Sequence, residues 1–166
     1  VSESEVRETI RRYAVGVEYD GSHFHGWQSQ SGVTTVQDLL ESALSSVAAE
    51  PVRVVTAGRT DTGVHASGQV AHFDTEAERT TLNWVRGANT NLPGGVALTW
   101  AKEVDRGFHA RFSALSRKYR YILFCRDVRP TYLAKRVSWT YECLDVQRMR
   151  AAAACLEGRH DFSAFR

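Results

Sequence analysis

An α+β fold with the element order β-α-β-β-α-β is predicted by three features of this chain. Apolar residues alternate with a period of two over 13–19, and they recur at i, i+3, i+4 and i+7 over 36–47. Two further strand-like runs flank a loop at 57–66 that is bracketed by glycines. With 166 residues, 43% of them hydrophobic, the chain is long enough for one or two packed cores.

The first strand is Tyr13–Tyr19, with Tyr13, Val15, Val17 and Tyr19 sharing one face. A helix begins near Thr34 or Thr35, where Thr34-x-x-Gln37 has the form of a capping box. Val36, Leu39, Leu40, Ala43, Leu44 and Val47 make its apolar stripe, and Pro51 lies beyond its end. Strands are expected near 52–57 and 68–74. A shorter helix over 81–89 follows, with Leu82, Val85 and Ala88 facing inward. A strand at 96–104 then alternates Val96, Leu98 and Trp100 with smaller or polar residues. This order is the split βαβ arrangement of a ferredoxin-like unit, an antiparallel sheet with helices on one face. A second unit is expected to start with a strand at 117–125 and a strand near 136–141. A helix at 146–157 follows, capped by Asp145, lined by Val146, Met149, Ala153 and Leu156, and ended by Gly158. The expected division is 1–110 for the first subdomain and 111–166 for an incomplete second one.

The loop reads Ala57-Gly-Arg-Thr-Asp-Thr-Gly-Val-His-Ala66. Gly58 and Gly63 allow a tight backbone path that holds Arg59 and Asp61 close together. A carboxylate on a strand-to-strand loop, steadied by an arginine two residues away, is a candidate catalytic anion. The competing reading is a structural turn whose Asp caps its own backbone.

Composition and charge limit the other possibilities. No run of about 18 apolar residues exists, so no membrane span is expected. The opening residues are acidic and polar, unlike a secretory signal. Cys125, Cys143 and Cys155 are odd in number and widely spaced, which argues against a disulfide framework or zinc site. Free, partly buried thiols in a reducing cytoplasm are expected instead. His23-Phe-His25 has no third ligand at convincing spacing, and His65 and His72 near the loop do not supply one, so no metal is expected. The net charge is only +2, yet the segment 106–136 holds nine basic residues and one acid, Asp127. That segment carries +8, leaving −6 for the rest. Such asymmetry suits a localised phosphate-binding surface, or charges spread over two faces of a strand and its loops.

Several longer motifs occur in order along the whole chain: Glu18-Tyr-Asp-Gly…Gly26-Trp-Gln-Ser-Gln30, the 57–66 loop, Gln69-Val, Asn91-Leu-Pro, Phe108-His-Ala-Arg-Phe-Ser-Ala114, Arg117-Lys-Tyr-Arg-Tyr121 and His160-Asp-Phe-Ser-Ala-Phe165. In these motifs the chain resembles the tRNA pseudouridine synthases of the TruA family. The resemblance implies a pseudouridine-synthase fold of two ferredoxin-like halves forming one antiparallel sheet. Family members are markedly longer, so this chain is expected to lack the remaining strands and a late cleft motif. By itself it is expected to be poorly active and prone to associate.

The same resemblance implies isomerisation of uridine at positions 38, 39 and 40 of tRNA, in the anticodon stem, by a cytoplasmic homodimer without a cofactor. Asp61 would act at the ribose, as nucleophile or base. Arg59 would pair with it and help displace the target base. Tyr119 would lie against the uracil, although alternation with Arg117 and Tyr121 on a sheet face would place a tyrosine there equally well. Arg111, Arg117, Lys118 and Arg120 would contact phosphates. Gln28 and Trp27 would border the cleft, with packing as the alternative for Trp27. Two other functions are weighed. A non-catalytic RNA-binding module is the first, because the family's late motif is absent. An aspartic protease would use Asp61-Thr62-Gly63, but the adjacent Arg59 suits an ionised Asp better than a shared-proton dyad.

Overall fold

The computed structural model describes residues 10–165, so the acidic opening residues lie outside the described residues. The chain divides into two compact units, Val1–Lys118 and Tyr119–Arg166.

In the first unit the elements follow the expected order: β1 (Arg11–Tyr19), α1 (Val36–Ala48), β2 (Val54–Thr56), β3 (Ala66–Thr75), α2 (Thr81–Asn91) and β4 (Val96–Val104). They form one sheet in the order β2-β3-β1-β4, with every neighbouring pair antiparallel. Both helices cover one face. Tyr13, Val15, Val17 and Tyr19 of β1 are buried there with Phe73 and Leu98, against Val36, Leu40 and Leu44 of α1 and Trp84 and Ala88 of α2. Burying each such side chain contributes about 1.5–3 kcal/mol. Tyr13, Phe73 and Trp84 pack as a trio, with ring centroids 5.6, 5.4 and 5.0 Å apart.

Three details differ from the sequence reading. The first is the cap of α1, which is Thr35: its Oγ1 accepts the Asp38 N–H at 3.3 Å and its hydroxyl donates to Asp38 Oδ2 at 2.5 Å. The Thr34 carbonyl is already engaged by the His25 N–H at 3.1 Å, which moves the helix start on by one residue. Gln37 therefore accepts the Ser29 N–H at 3.1 Å and donates to Glu41 at 2.9 Å. The second concerns α2, which turns Trp84 and Ala88 inward and leaves Leu82 52% exposed, because the indole is the larger apolar group to bury. The third is a bulge in β4. Val17 pairs with Leu98 but Gly16 pairs with Trp100, so Thr99 is an extra residue that switches Trp100 to the other face. There the indole lies on the Gly16 backbone, where an added Cβ would sit 2.1 Å from its Nε1.

That other face carries Arg12, Ala14 and Gly16 of β1 and His72 and Asp74 of β3, by alternation and register. The segment after β4 packs on it. Arg12 forks onto Asp74 at 2.6 and 2.7 Å, and its Nη1 donates to the carbonyls of Arg106 and Phe108, both at 2.7 Å. The Ala110 N–H donates to Nδ1 of the buried His72 at 3.2 Å.

The second unit contains β5 (Leu123–Cys125), β6 (Ser138–Thr140) and α3 (Val146–Ala154). β5 and β6 pair in parallel over three residues each. The expected 117–125 strand shortens because so short a partner offers a ladder only to Leu123–Cys125, and Tyr119 and Tyr121 fall outside it. Asp145 does cap α3, accepting from the Gln147 and Arg148 N–H groups at 3.0 Å. The expected inward stripe of Val146, Met149, Ala153 and Leu156 is exposed, as this unit buries little of its apolar surface. The three cysteines are free and exposed rather than partly buried, since all three lie in this unit. Among the described residues no helix is long and apolar enough to cross a membrane.

Candidate active site

The 57–65 loop joins β2 to β3 and is held at both ends. At its start the Ala57 N–H continues the ladder to the Val70 carbonyl at 2.8 Å. The Gly58 carbonyl accepts from Gln69 Nε2 at 2.6 Å and from the Thr56 hydroxyl at 3.2 Å. Arg117 reaches back to the Ala57 carbonyl, at 3.0 Å from Nε and 2.5 Å from Nη2. In the middle, Thr60 is fixed twice: its carbonyl accepts the Trp27 N–H at 2.9 Å and its hydroxyl lies 2.8 Å from the Tyr19 hydroxyl. A turn follows in which the Val64 N–H donates to the Asp61 carbonyl at 3.2 Å, with Gly63 at φ 82°. At the far end His65 Nδ1 lies 3.1 Å from Asp20 Oδ1, and that same oxygen accepts from the Ser22 N–H and hydroxyl at 3.1 and 2.7 Å.

The 20–30 segment is thus the backing of the loop, and glycine is needed where the two backbones touch. A Cβ on Gly26, which has φ 84°, would lie 2.7 Å from the Thr60 carbonyl oxygen. A Cβ on Gly21 would lie 2.0 Å from that of Val64. Trp27 is buried and packs on Tyr19 with ring centroids 6.0 Å apart, so its role is structural. Gln28, half-buried, uses its carbonyl to accept from Gln30 Nε2 at 3.4 Å. None of the Tyr19, Asp20, Gly21 and Gly26 contacts was read from the sequence. The signal was there in the paired glycines of Gly21…Gly26, but long-range backbone contact has no periodicity.

Asp61 and Arg59 are both exposed on this loop. The expected ion pair between them is not formed. Thr60 stands between them with its carbonyl drawn to Trp27 and its hydroxyl to Tyr19, and the two charged residues on either side are exposed. An exposed pair is worth only about 0–1 kcal/mol, which is too little to bend a clamped loop. The Asp61 carboxylate is left open to solvent at a fixed backbone position.

The other predicted residues distribute as follows. Arg111, Arg117 and Lys118 are exposed in the first unit; Tyr119, 71% exposed, and Arg120 belong to the second. Arg111 lies 5.8 Å over the Phe112 ring, which stacks on His109 at 4.3 Å. Beneath this segment the charges are shifted by their neighbours. The Arg12 hydrogen bonds hold the Asp74 carboxyl below its ordinary range, and Asp74 in turn raises Arg12. Burial lowers His72, with Arg12 and His109 acting in the same direction. Its Nδ1 accepts a hydrogen bond, so the neutral ring fits this place. Among the described residues no group of three or more His, Cys, Asp or Glu is arranged to hold a metal ion.

Comparison with known proteins supplies the family. A family model described as tRNA pseudouridine synthase matches residues 16–113. The tRNA pseudouridine synthase A of Pseudomonas aeruginosa is 54% identical over 158 residues, covering 95% of this chain and 55% of that protein. Its namesakes in Nitrosococcus oceani and Methylobacillus flagellatus are each 58% identical over 155 residues. These cover 93% of this chain, and 60% and 59% of the relatives. The chain therefore spans 55 to 60% of the length of the curated relatives it matches. The matched stretch includes the Asp61-Thr62-Gly63 tripeptide together with the segment that backs it, and leaves the aspartic-protease reading without support. On this match and these identities, the chain belongs to the tRNA pseudouridine synthase family.

Proposed function

We propose that this chain carries the catalytic loop of a tRNA pseudouridine synthase, with Asp61 as the group that acts at the ribose. The reaction breaks the C1′–N1 bond, turns the uracil in place and rejoins it through C5. No atom is gained or lost, so the chemistry calls for no redox cofactor or metal. It requires an anion beside the sugar, a place for the detached base, and removal of the C5 proton. The observation that carries the reading is the exposed Asp61 on a loop clamped on both sides within the family match. Preorganisation is what such a step needs, because the carboxylate must meet C1′ without rearranging.

In this reading Arg59, unpaired with Asp61, is available to the RNA and assists displacement of the target base. Tyr119 supplies, by resemblance, the aromatic face against the uracil. Arg111, Arg117, Lys118 and Arg120 contact phosphates and position the tRNA without reading its sequence. Arg117 divides its donors between that task and the Ala57 carbonyl. Gln28 borders the cleft. The sequence-based division into 1–110, bearing the loop, and 111–166, opening a second subdomain, falls a few residues before the boundary of the compact units at Lys118 and Tyr119. The substrate positions are 38, 39 and 40 of the anticodon stem, and the working form is a cytoplasmic homodimer.

The test is tritium release from tRNA transcripts labelled at uridine C5, using the intact protein. Release from those three positions, with pseudouridine appearing in the product, supports the reading. Tight tRNA binding without release would assign RNA binding alone. Tyr119→Ala is expected to lower turnover more than binding, and an unchanged rate would move the stacking role to another ring.

A further inference from the structure

We infer that Tyr19 and Thr60 are a positioning pair that sets the catalytic geometry of Asp61, a role that rests on Asp61 acting as proposed above. Thr60 is the residue immediately before Asp61, and it is held in the middle of the loop by both its side chain and its carbonyl. Its hydroxyl lies 2.8 Å from the Tyr19 hydroxyl, and its carbonyl accepts the Trp27 N–H at 2.9 Å. The Tyr19 ring is buried in the core of the sheet and stands beside Trp27, so its hydroxyl is delivered from a rigid base. The Asp61 and Arg59 side chains, by contrast, make no mutual contact that could orient either of them. The backbone of Thr60 is therefore what fixes where the Asp61 Cα points.

The two bonds to Thr60 act differently. The Trp27 N–H holds the carbonyl and so the distance between loop and backing segment. The Tyr19 hydroxyl holds the side chain and so the Thr60 Cα, from which the peptide leading into Asp61 departs. Loss of the second bond leaves the loop attached but free to rock about the first. A carboxylate that must approach C1′ is sensitive to such motion, since misplacement by about 1 Å can cost 10²-fold in rate. Phosphate contacts lie elsewhere, so affinity for tRNA is not expected to change.

The experiment is a double-mutant cycle in the intact protein, read as kcat and KM for a tRNA transcript. Tyr19→Phe keeps the ring and removes only the hydroxyl; Thr60→Val keeps the shape and removes the other partner. Each is expected to lower kcat by about ten-fold with KM within about two-fold, a loss confined to the transition state. The double variant is expected to be no slower than the worse single one, because both changes break one bond. Thr60→Ser, which keeps the hydroxyl, stays within about two-fold of the parent. Unchanged kcat in both single variants, while Asp61→Ala is inactive, would overturn the positioning role and leave the proposed function intact. Multiplying effects in the double variant would also overturn it. Turnover surviving Asp61→Ala would overturn both readings together.

Discussion

Gly21→Ala is the most informative single change in the backing segment. An added Cβ would sit 2.0 Å from the Val64 carbonyl oxygen and 2.4 Å from its carbon. Ordinary contact begins at 3.4 Å, so one backbone must retreat by about 1 Å or more. The neighbour is main chain, not a flexible side-chain end, and neither side yields cheaply. On one side Asp20 is fixed by the Gly95 carbonyl at 2.9 Å and by its own bonds to Ser22. On the other, Val64 belongs to the turn whose N–H binds the Asp61 carbonyl. Overpacking of this kind costs roughly 1–3 kcal/mol, which in a unit of this size lowers Tm by about 4 °C or more. The displacement propagates to Asp61 through the turn that the Val64 N–H closes on the Asp61 carbonyl, so kcat should fall by about 10²-fold. Calorimetry and the tritium-release assay measure the two effects on the same preparation. A variant with unchanged Tm and kcat would refute the claim that the 20–30 segment buttresses the loop.

The remaining predictions concern stability and binding. Glu41 is buried on α1 and accepts the Val54 N–H at 3.0 Å, so Glu41→Ala leaves that donor unsatisfied; a loss of about 1–3 kcal/mol in denaturant unfolding is expected. His72 has its folded-state pKa lowered by burial and then by Arg12 and His109, against opposing contributions from Asp74 and the Val55 backbone. The unfolded chain therefore takes up a proton that the folded one refuses, and stability present above pH 6.5 is lost as the pH falls below it. Thermal unfolding between pH 7.5 and 5.5 should show this decline in the parent and a shallower one in His72→Gln; equal slopes would contradict it. Neutralising Lys118 and Arg120 together should reduce the salt slope of tRNA binding by between about one and two. An unaltered slope would place the phosphate track elsewhere.

The first unit was legible because its signals are local. Period-two and period-3.6 patterns placed β1, α1 and β4 to within a few residues, and Tyr13, Val15, Val17 and Tyr19 are buried as their alternation requires. The errors came where distant contacts outrank the pattern. The bulge at Thr99 reverses Trp100 because Gly16, three strands earlier in the sequence, leaves room for an indole. Thr35 displaces Thr34 as cap because a 20–30 backbone bond reaches Thr34 first. At the site, the Asp61 loop was visible as a motif, while its supports were not. Tyr19 read as a core residue, and nothing in its surroundings told that its hydroxyl meets Thr60, 41 residues on. The second unit was least legible, since its apolar stripes do not become buried faces.

The most direct test replaces the Asp61 carboxylate by its amide. Asp61→Asn in the intact protein should retain tRNA affinity within about three-fold and lose pseudouridine formation by three or more orders of magnitude in single turnover. An amide variant that still converts uridine within about ten-fold of the parent rate would contradict the assignment of this loop as the catalytic centre.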